Sequence, residues 1–590
     1  MDPREYGLPD GHEEFREGQE ESLIWAMEQE GVGILEAPTG SGKTAIAAGT
    51  ASKKRVVALC RTRVLQVANY AQEYGFDPLF GKDNYPCIHP EAEVGATCGQ
   101  CLYPQKMSEC DYYHECTYIA QRDLVRGSRK ASLNYAYYLR SQYFKDNRPD
   151  VLFLDEGHQL SELILGWAGC TVDEHKRVKW YLPDFPILEA QRSSSLTAPR
   201  SAFGSFSVVT LPEPEDPIGK VKDWLTESIK ILRRQVVTYQ QLAPFSEASR
   251  TKAQDGGLLQ YKLQTTLTTI CMNEDAWYIE SGPTALQRLD RMSGEYKPAP
   301  GIVIKPLTAR YHFPHFFLSE ESATVIMSAT IGNAQTFSEE LGIRVYQDRV
   351  MENPYPPARR PVYVLDAPGM GYKSGLSHYK KQAEVIARAI LDCPAEWSGI
   401  IHVTRKSEAP KLRDRLKKMG LRKRVWSPPL EQKHCRLDCS LCPYQEEGGC
   451  SKQGRWFGTN EQAALWTVRK KMVPGSIMVC WQFREGYDGS GMIEGVYYPE
   501  LDEKICIVAK TPFPNLGNPY EKARQRFSGK FYLQRTAWDL EQALGRTRRG
   551  REIDYDLPGD RRGLVAIADG NYVRVQKYLS KGLREAITEY

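Results

Sequence analysis

The stretch GVGILEAPTGSGKT, from Gly31 to Thr44, ends in a lysine and a hydroxyl residue behind a glycine-rich turn. That combination handles phosphate. Gly40 and Gly42, set among Thr39 and Ser41, let backbone N–H groups turn inward around phosphate oxygens. Lys43 brings a point charge to the β- and γ-phosphates, and the Thr44 hydroxyl can ligate Mg²⁺. The turn departs from the strict phosphate-loop pattern once, with Ala37 in place of the usual first glycine. Its flanks separate it from a chance glycine turn: Val32, Ile34 and Leu35 read as a buried parallel strand, and TAIAAGTASKK as an Ala-rich helix.

A metal-bound triphosphate also needs acid. In DVLFLDEGH, Val151 to Leu154 form an apolar strand that delivers Asp155 and Glu156 at its end. We assign Asp155 to Mg²⁺ and Glu156 to the attacking water. Alone, the pair would read as an acidic strand cap. MSATI (Met327 to Ile331) follows a third apolar strand and offers Ser328 and Thr330 as small hydroxyl switches. QALGRTRRG (Gln542 to Gly550) sets Arg546 and Arg549 about one helical turn apart, where two guanidiniums can meet transition-state phosphate charge. By itself that cluster would read as a solvated helix face.

Taken together, Lys43-Thr44, Asp155-Glu156-Gly157-His158, Ser328-Ala329-Thr330 and Gln542-Gly545-Arg546-Arg549 resemble the motifs of superfamily 2 helicases, with DEGH where that group has DEAD or DEAH. More narrowly, the chain resembles the XPD/DinG family of iron–sulfur DNA helicases. FREGQ, with Arg16 and Gln19, is similar to the family's glutamine motif beside the nucleotide base; CRTRVLQ is similar to its Arg-Thr motif, where Thr62 would contact DNA backbone. GIIHVTRKSEA, FREGYDGSG (Glu485 to Asp488) and KTPFPNLGNP resemble motifs of its second domain. The resemblance implies an α/β fold of two RecA-like P-loop motor domains with ATP and Mg²⁺ between them. Lys43, Thr44, Asp155 and Glu156 would face Gln542, Arg546 and Arg549 across the nucleotide, with Arg16, Gln19 and Asp488 also at the cofactor. It further implies single-stranded DNA and DNA junctions as partners and 5′→3′ movement. Two other readings stay open: an RNA helicase or remodelling ATPase, suggested by the acid motif, and a nucleotide- and metal-binding redox sensor.

Sulfur is concentrated in NYPCIHPEAEVGATCGQCLYPQKMSECDYYHEC, which holds five of the fifteen cysteines. The stretch lies between Thr62 and Asp155, where the resembled family carries its cluster segment. Four thiolates hold a [4Fe–4S] cube. The resemblance gives Cys87, Cys110 and Cys116 as ligands, with Cys98 favoured over Cys101 for the fourth place. Zinc accepts four thiolates as well. A second group, Cys435, Cys439, Cys442 and Cys450, matches no motif of that family and reads as a zinc knuckle, with a second cluster as the alternative. The remaining cysteines, Cys60, Cys170, Cys271, Cys393, Cys480 and Cys506, are isolated and mostly read as small buried hydrophobes.

These groups need large scaffolds. At 590 residues the chain exceeds what one core ordinarily supports. Charged residues at 26% and hydrophobic ones at 41% fit a globular protein, and a net charge of +4 identifies no partner. MDPREYGLPDGHEEF lacks the apolar region of a signal peptide, and no apolar run is long enough to span a bilayer. The expectation is a cytoplasmic protein (beside the nucleoid, or nuclear in a eukaryote) without membrane contact, where clustered thiols serve metals more often than disulfides. The expected division is a first RecA-like domain over 1–84, 117–175 and 301–335, interrupted by a cluster segment over 85–116 and a mainly helical arch-like insertion over 176–300. The second RecA-like domain runs over 336–590, with its cysteine-rich insertion at about 430–455. Within the arch, Ile218, Val221, Leu225, Ile229, Leu232 and Val236 recur every three or four residues, which predicts one apolar helix face used for packing.

Overall fold

The computed structural model describes residues 2–38, 41–63, 65–92, 95–101, 107–186, 216–242, 246–289, 296–352, 361–371, 373–405, 407–427, 445–446, 449–450, 466, 468–481, 504–545 and 563–590. Its short apolar runs become buried parallel strands, as expected for segments covered on both faces. The chain begins with β1 (Val32–Glu36), β2 (Val56–Cys60), β3 (Asp77–Leu79), β4 (Lys130–Asn134) and β5 (Val151–Leu154). It then leaves the sheet for β6 (Cys170–Asp173), β7 (Trp277–Leu289) and β8 (Tyr296–Pro306), and returns with β9 (Ala323–Ser328) and β10 (Gln347–Val350). The first sheet is parallel throughout, in the order β10-β1-β9-β5-β2-β4-β3. Its two faces bury separate apolar layers, one around Leu133, Phe313 and Phe317, the other around Leu35, Ile46 and Phe153.

This order decides where chemistry gathers. β9 lies between β1 and β5, so the C-terminal ends of three adjacent strands deliver the phosphate-binding turn, Ser328 and Asp155 to one edge. α1 (Gln19–Met27) and α2 (Lys43–Thr50) pack on each other and bury Ala26, Ala45 and Ile46 in the same apolar layer as Leu35 of β1.

A second sheet follows. It is built from β11 (Val362–Val364), β12 (Gly399–Val403), β13 (Val425–Trp426), β16 (Ile477–Trp481), β17 (Ile505–Val508), β18 (Leu564–Ile567) and β19 (Ile587–Glu589). Its order is β13-β16-β12-β17-β18-β11-β19, again parallel, while β14 (Gln445–Glu446) and β15 (Gly449–Cys450) form a small antiparallel pair apart from it.

Two details differ from the expected division. β10 belongs to the first sheet although the boundary at 335 assigned it to the second domain: it covers the otherwise open edge of β1. Its sequence QDRV is polar and largely exposed, so no apolar run announces it. The insertion is mainly helical, as expected, and its sheet extends past the expected boundary at 300. Two helices, Pro217–Leu242 and Glu247–Met272, pack on each other, with Val221, Leu225, Ile229, Leu232 and Val236 buried as the periodicity predicts. They stand on an antiparallel sheet in which β8 pairs with both β6 and the long β7, so residues 301–306 belong to this sheet and not to the first domain.

Candidate active site

The phosphate-binding turn is held from outside before any ligand arrives. Gln19, 2% exposed, donates from Nε2 to the Gly42 carbonyl (3.2 Å), and its Oε1 accepts the Arg16 N–H (3.0 Å). Arg16 and Gln19 therefore sit against the turn. Lys43 heads α2 and donates to the carbonyl of Ala37 at 3.1 Å, spanning its own loop. Ser41 Oγ is buried and has no hydrogen-bond partner among the described residues. A buried orphan hydroxyl beside a lysine and a helix N-terminus has the chemistry of a phosphate cradle, so the turn fits a nucleotide. Thr39 and Gly40 lie outside the described residues.

Asp155 follows β5 and is buried. Tyr70 OH donates to its Oδ2 at 3.1 Å, and the Glu156 N–H donates to Oδ1 at 2.9 Å. Burial, then the neighbouring Glu156 charge, push the Asp155 carboxyl up to about 6, while the Lys43 ammonium pulls the other way. Lys43 and Asp155 thus share one field, and the Asp155 carboxylate and Thr44 hydroxyl are oxygen donors of the kind that suits Mg²⁺. Glu156 stands in the left-handed region at φ 55, a conformation that costs a non-glycine residue energy and is held here by its surroundings. The next residue must be glycine for a different reason: a Cβ on Gly157 would lie 2.3 Å from Ile326 Cγ2 on β9.

His158 connects this turn to the next strand. Its Nδ1 lies 2.8 Å from Ser328 Oγ and 3.4 Å from Glu156 Oε2. Ser328 Oγ in turn accepts the Thr330 N–H at 3.2 Å. One residue on, the Ile331 carbonyl accepts from Gln534 Nε2 (2.9 Å) and Trp538 Nε1 (3.0 Å), both on helix Gly529–Leu544 of the second domain. The Trp538 ring also meets His158, centroids 6.1 Å apart. Gly332 permits this approach, because a Cβ there would lie 2.2 Å from the Tyr578 carbonyl oxygen and its φ is +72.

The same junction buries two carboxyls. Glu36, at the end of β1, accepts the Gly332 N–H at 2.6 Å, and Glu541 accepts the Ser580 N–H. Burial pushes Glu36 up to about 6, and burial together with Glu36 pushes Glu541 up to about 8. Elsewhere along the contact, Arg524, 4% exposed, pairs with Glu162 (2.6 Å) and Glu340 (3.7 Å) of the first domain. Gln542 lies half-buried on the last turn of helix Gly529–Leu544. Arg546, Arg549 and Asp488 lie outside the described residues.

Sequence reasoning missed Tyr70, Glu36, Gln534, Trp538 and Glu541. Tyr70 carried no signal, being far from Asp155 along the chain. Gln534, Trp538 and Glu541 did carry one: they recur every three or four residues upstream of Gln542, on the helical face that the arginine motif extends.

In CRTRVLQ, Arg61 and Arg63 are exposed and Thr62 is half-buried. Arg61 pairs with Gln159, Arg63 donates to Asn84 Oδ1 at 2.8 Å, and its guanidinium lies 4.8 Å from the Phe80 ring centroid. Nearby, Cys87, Cys98, Cys101, Cys110 and Cys116 all line one small cavity, with His89 also on its wall. Cys98 is 2% exposed and its Sγ lies 3.6 Å from Cys116 Sγ; burial and that neighbour push its thiol up to about 12. Among the described residues no three His, Cys, Asp or Glu side chains are close enough to hold a single metal ion. A soft donor set of five thiols on one cavity fits a thiolate-bound cluster in its chemistry. Cys435, Cys439 and Cys442 lie outside the described residues, and of Cys450 only the backbone, in β15, is described. Of the isolated cysteines, Cys271 alone is exposed and the other five are buried.

No family model matches the chain, and no curated protein matches it by sequence. Solved structures do match. An XPD helicase superposes with a TM-score of 0.52 at 13% identity, over 98% of this chain and 100% of that one. An XPD apo structure gives 0.45 at 13% identity over 95% and 97%. Dbp5 of S. cerevisiae bound to RNA and ADP BeF3 gives 0.36 at 10% identity over 100% and 95%. Among the described residues no helix is long and apolar enough to cross a membrane. With two seven-stranded parallel sheets flanked by helices, and the whole length superposing on XPD helicase, the chain has the XPD fold of two RecA-like α/β domains.

Proposed function

We propose that the chain is an ATP-dependent DNA helicase of the XPD/DinG type, moving 5′→3′ on single-stranded DNA and opening duplex at a cluster-bearing wedge. The observation that carries this reading is the juxtaposition at one sheet edge of Lys43, the orphan Ser41 hydroxyl and buried Asp155, with helix Gly529–Leu544 of the other domain docked against the same edge.

In this reading Lys43 leaves the Ala37 carbonyl for the β- and γ-phosphates, and Ser41 and the Gly42 turn grip phosphate oxygens. Thr44 and Asp155 would hold Mg²⁺, which supplies neutralising charge to those oxygens when bound. Glu156 orients the attacking water from its strained turn. His158 registers that turn on Ser328, and the Ile331 carbonyl passes its position to Gln534 and Trp538. Gln542 would approach the nucleotide from the second domain, and Arg546 and Arg549 would meet the γ-phosphate charge. The two domains closing on ATP and opening after hydrolysis would ratchet the strand across Thr62 and its neighbours.

Cys87, Cys98, Cys110 and Cys116 would hold a [4Fe–4S] cluster that supplies folding free energy to a segment too short for a core of its own. Cys435, Cys439, Cys442 and Cys450 would hold Zn²⁺. Strand displacement on duplexes with a single-stranded 5′ or 3′ tail tests the reading. Unwinding of the 5′-tailed duplex, absent in Lys43→Ala, is expected; DNA unwinding that survives Lys43→Ala would overturn it.

A further inference from the structure

Helix Leu160–Ala168 begins where the acidic turn ends: β5 runs into Asp155 and Glu156, one tight turn covers Gly157–Gln159, and the helix follows directly. Its nine residues span about 14 Å. Leu160, Ser161, Ile164, Leu165 and Ala168 are buried, which fixes the helix along the first domain. Three parts of the molecule hold it. Its start is the turn bearing Asp155 and Glu156. On its first turn, Glu162 Oε1 accepts from Arg524 Nη1 at 2.6 Å and lies 3.0 Å from Arg535 Nε. Both guanidiniums come from the second domain, and they are buried at 4% and 6% exposure. Arg524 Nε also donates to the Leu307 carbonyl (3.3 Å), and Tyr520 OH to that of Pro306 (2.8 Å), at the end of β8. On the last turn Lys262, from the insertion's helix Glu247–Met272, donates to the carbonyls of Gly166 (2.5 Å) and Trp167 (2.8 Å). Those are carbonyls that a helix end leaves without partners of its own.

We infer that Glu162 is a positioning residue: through one short helix it sets the Asp155-Glu156 turn on the second domain and gears the insertion to that turn. The inference rests on the helicase reading above and adds how its parts are linked. A carboxylate shared by two buried guanidiniums is costly to break, because either charge left alone in the interior is uncompensated. Helix Leu160–Ala168 therefore follows the second domain at Glu162. A rigid element carries displacement from one end to the other, so the acids at its start and Lys262 at its end move with it.

ATP turnover with single-stranded DNA, and base pairs displaced per ATP on a 5′-tailed duplex, both measured on the full chain, test this. Glu162→Gln keeps the shape and loses the charge. It should lower kcat at least about tenfold with KM for ATP within about twofold, and lower base pairs per ATP at least about fivefold. Glu162→Asp keeps the charge and should bring both back to within about twofold of wild type. Lys262→Met spares the two guanidiniums and should lower base pairs per ATP at least about threefold, a result that stands even where Glu162→Gln does not fold. Hydrolysis and displacement falling in equal proportion in Glu162→Gln would overturn the inference, since a contact that only holds the domains together lowers the active fraction and leaves the ratio alone. So would a raised KM at unchanged kcat, a Glu162→Asp protein no better than Glu162→Gln, or a wild-type ratio in Lys262→Met. Wild type that turns over ATP without displacing DNA would remove the helicase reading itself.

Discussion

Replacing Glu541 by glutamine should stabilise the protein at neutral pH and erase most of a pH dependence at the domain junction. The Glu541 carboxyl is 7% exposed, faces Glu36 across the interface with Arg584 as the nearby cation, and accepts from Ser580. Burial and Glu36 push it up to about 8, from an ordinary 4.5. The folded state therefore keeps the proton over a range where the unfolded chain gives it up. A raised acid has this sign: its contribution is neutral below about 4.5, and stability falls as pH climbs from there through about 8. At about 1.4 kcal/mol per unit, the loss between about pH 5 and about pH 7.5 is about 3 kcal/mol. Glutamine keeps a carbonyl for Ser580 and carries no charge, so Glu541→Gln should gain up to that amount at about pH 7.5 and almost nothing at about pH 5. Thermal unfolding by circular dichroism at both pH values reads this out, as a gain of about 2–5 °C confined to the higher pH. Equal gains at both values, or a variant less stable than wild type at the higher one, would refute the raised Glu541 carboxyl.

Tyr70→Phe removes a donor to the Asp155 carboxylate, so that carboxyl should rise above about 6. The acid limb of kcat/KM for ATP should move to higher pH, with the alkaline plateau unchanged, as a pH–rate profile at fixed Mg²⁺ will show. Gly332→Ala drives a methyl toward the Tyr578 carbonyl at a left-handed position. It should cost about 1–3 kcal/mol of domain docking and lower turnover, while a fluorescent nucleotide analogue still binds. Trp538→Phe leaves the Ile331 carbonyl with Gln534 alone, at a stability cost of about 1 kcal/mol. Strand displacement per ATP hydrolysed should fall further than hydrolysis itself.

Much of this fold was legible where burial writes itself into composition. Apolar runs such as Val151 to Leu154 and Ile505 to Val508 became central strands, and the stripe from Val221 to Val236 became a packed helix face. The polar strand β10 was not legible because its role is to close an edge, which demands backbone and no apolar side chain. The long hairpin β7–β8 was hidden by the helices that precede it. At the site, local motifs pointed to Gln19, Lys43 and Asp155, whose roles depend on a turn or a strand end. Tyr70 and Glu36 act through contacts between segments remote in sequence, and such contacts leave no spacing to read.

The central claim is that nucleotide hydrolysis is coupled to a DNA strand through the junction of the two domains. Turnover of ATP by the anaerobically purified full chain, measured alone, with single-stranded DNA and with RNA of matched sequence, tests it most directly. The account predicts slow hydrolysis alone, strong stimulation by DNA and weak stimulation by RNA, all lost in Lys43→Ala. Stimulation by RNA exceeding that by DNA, or a rate indifferent to both, would contradict it.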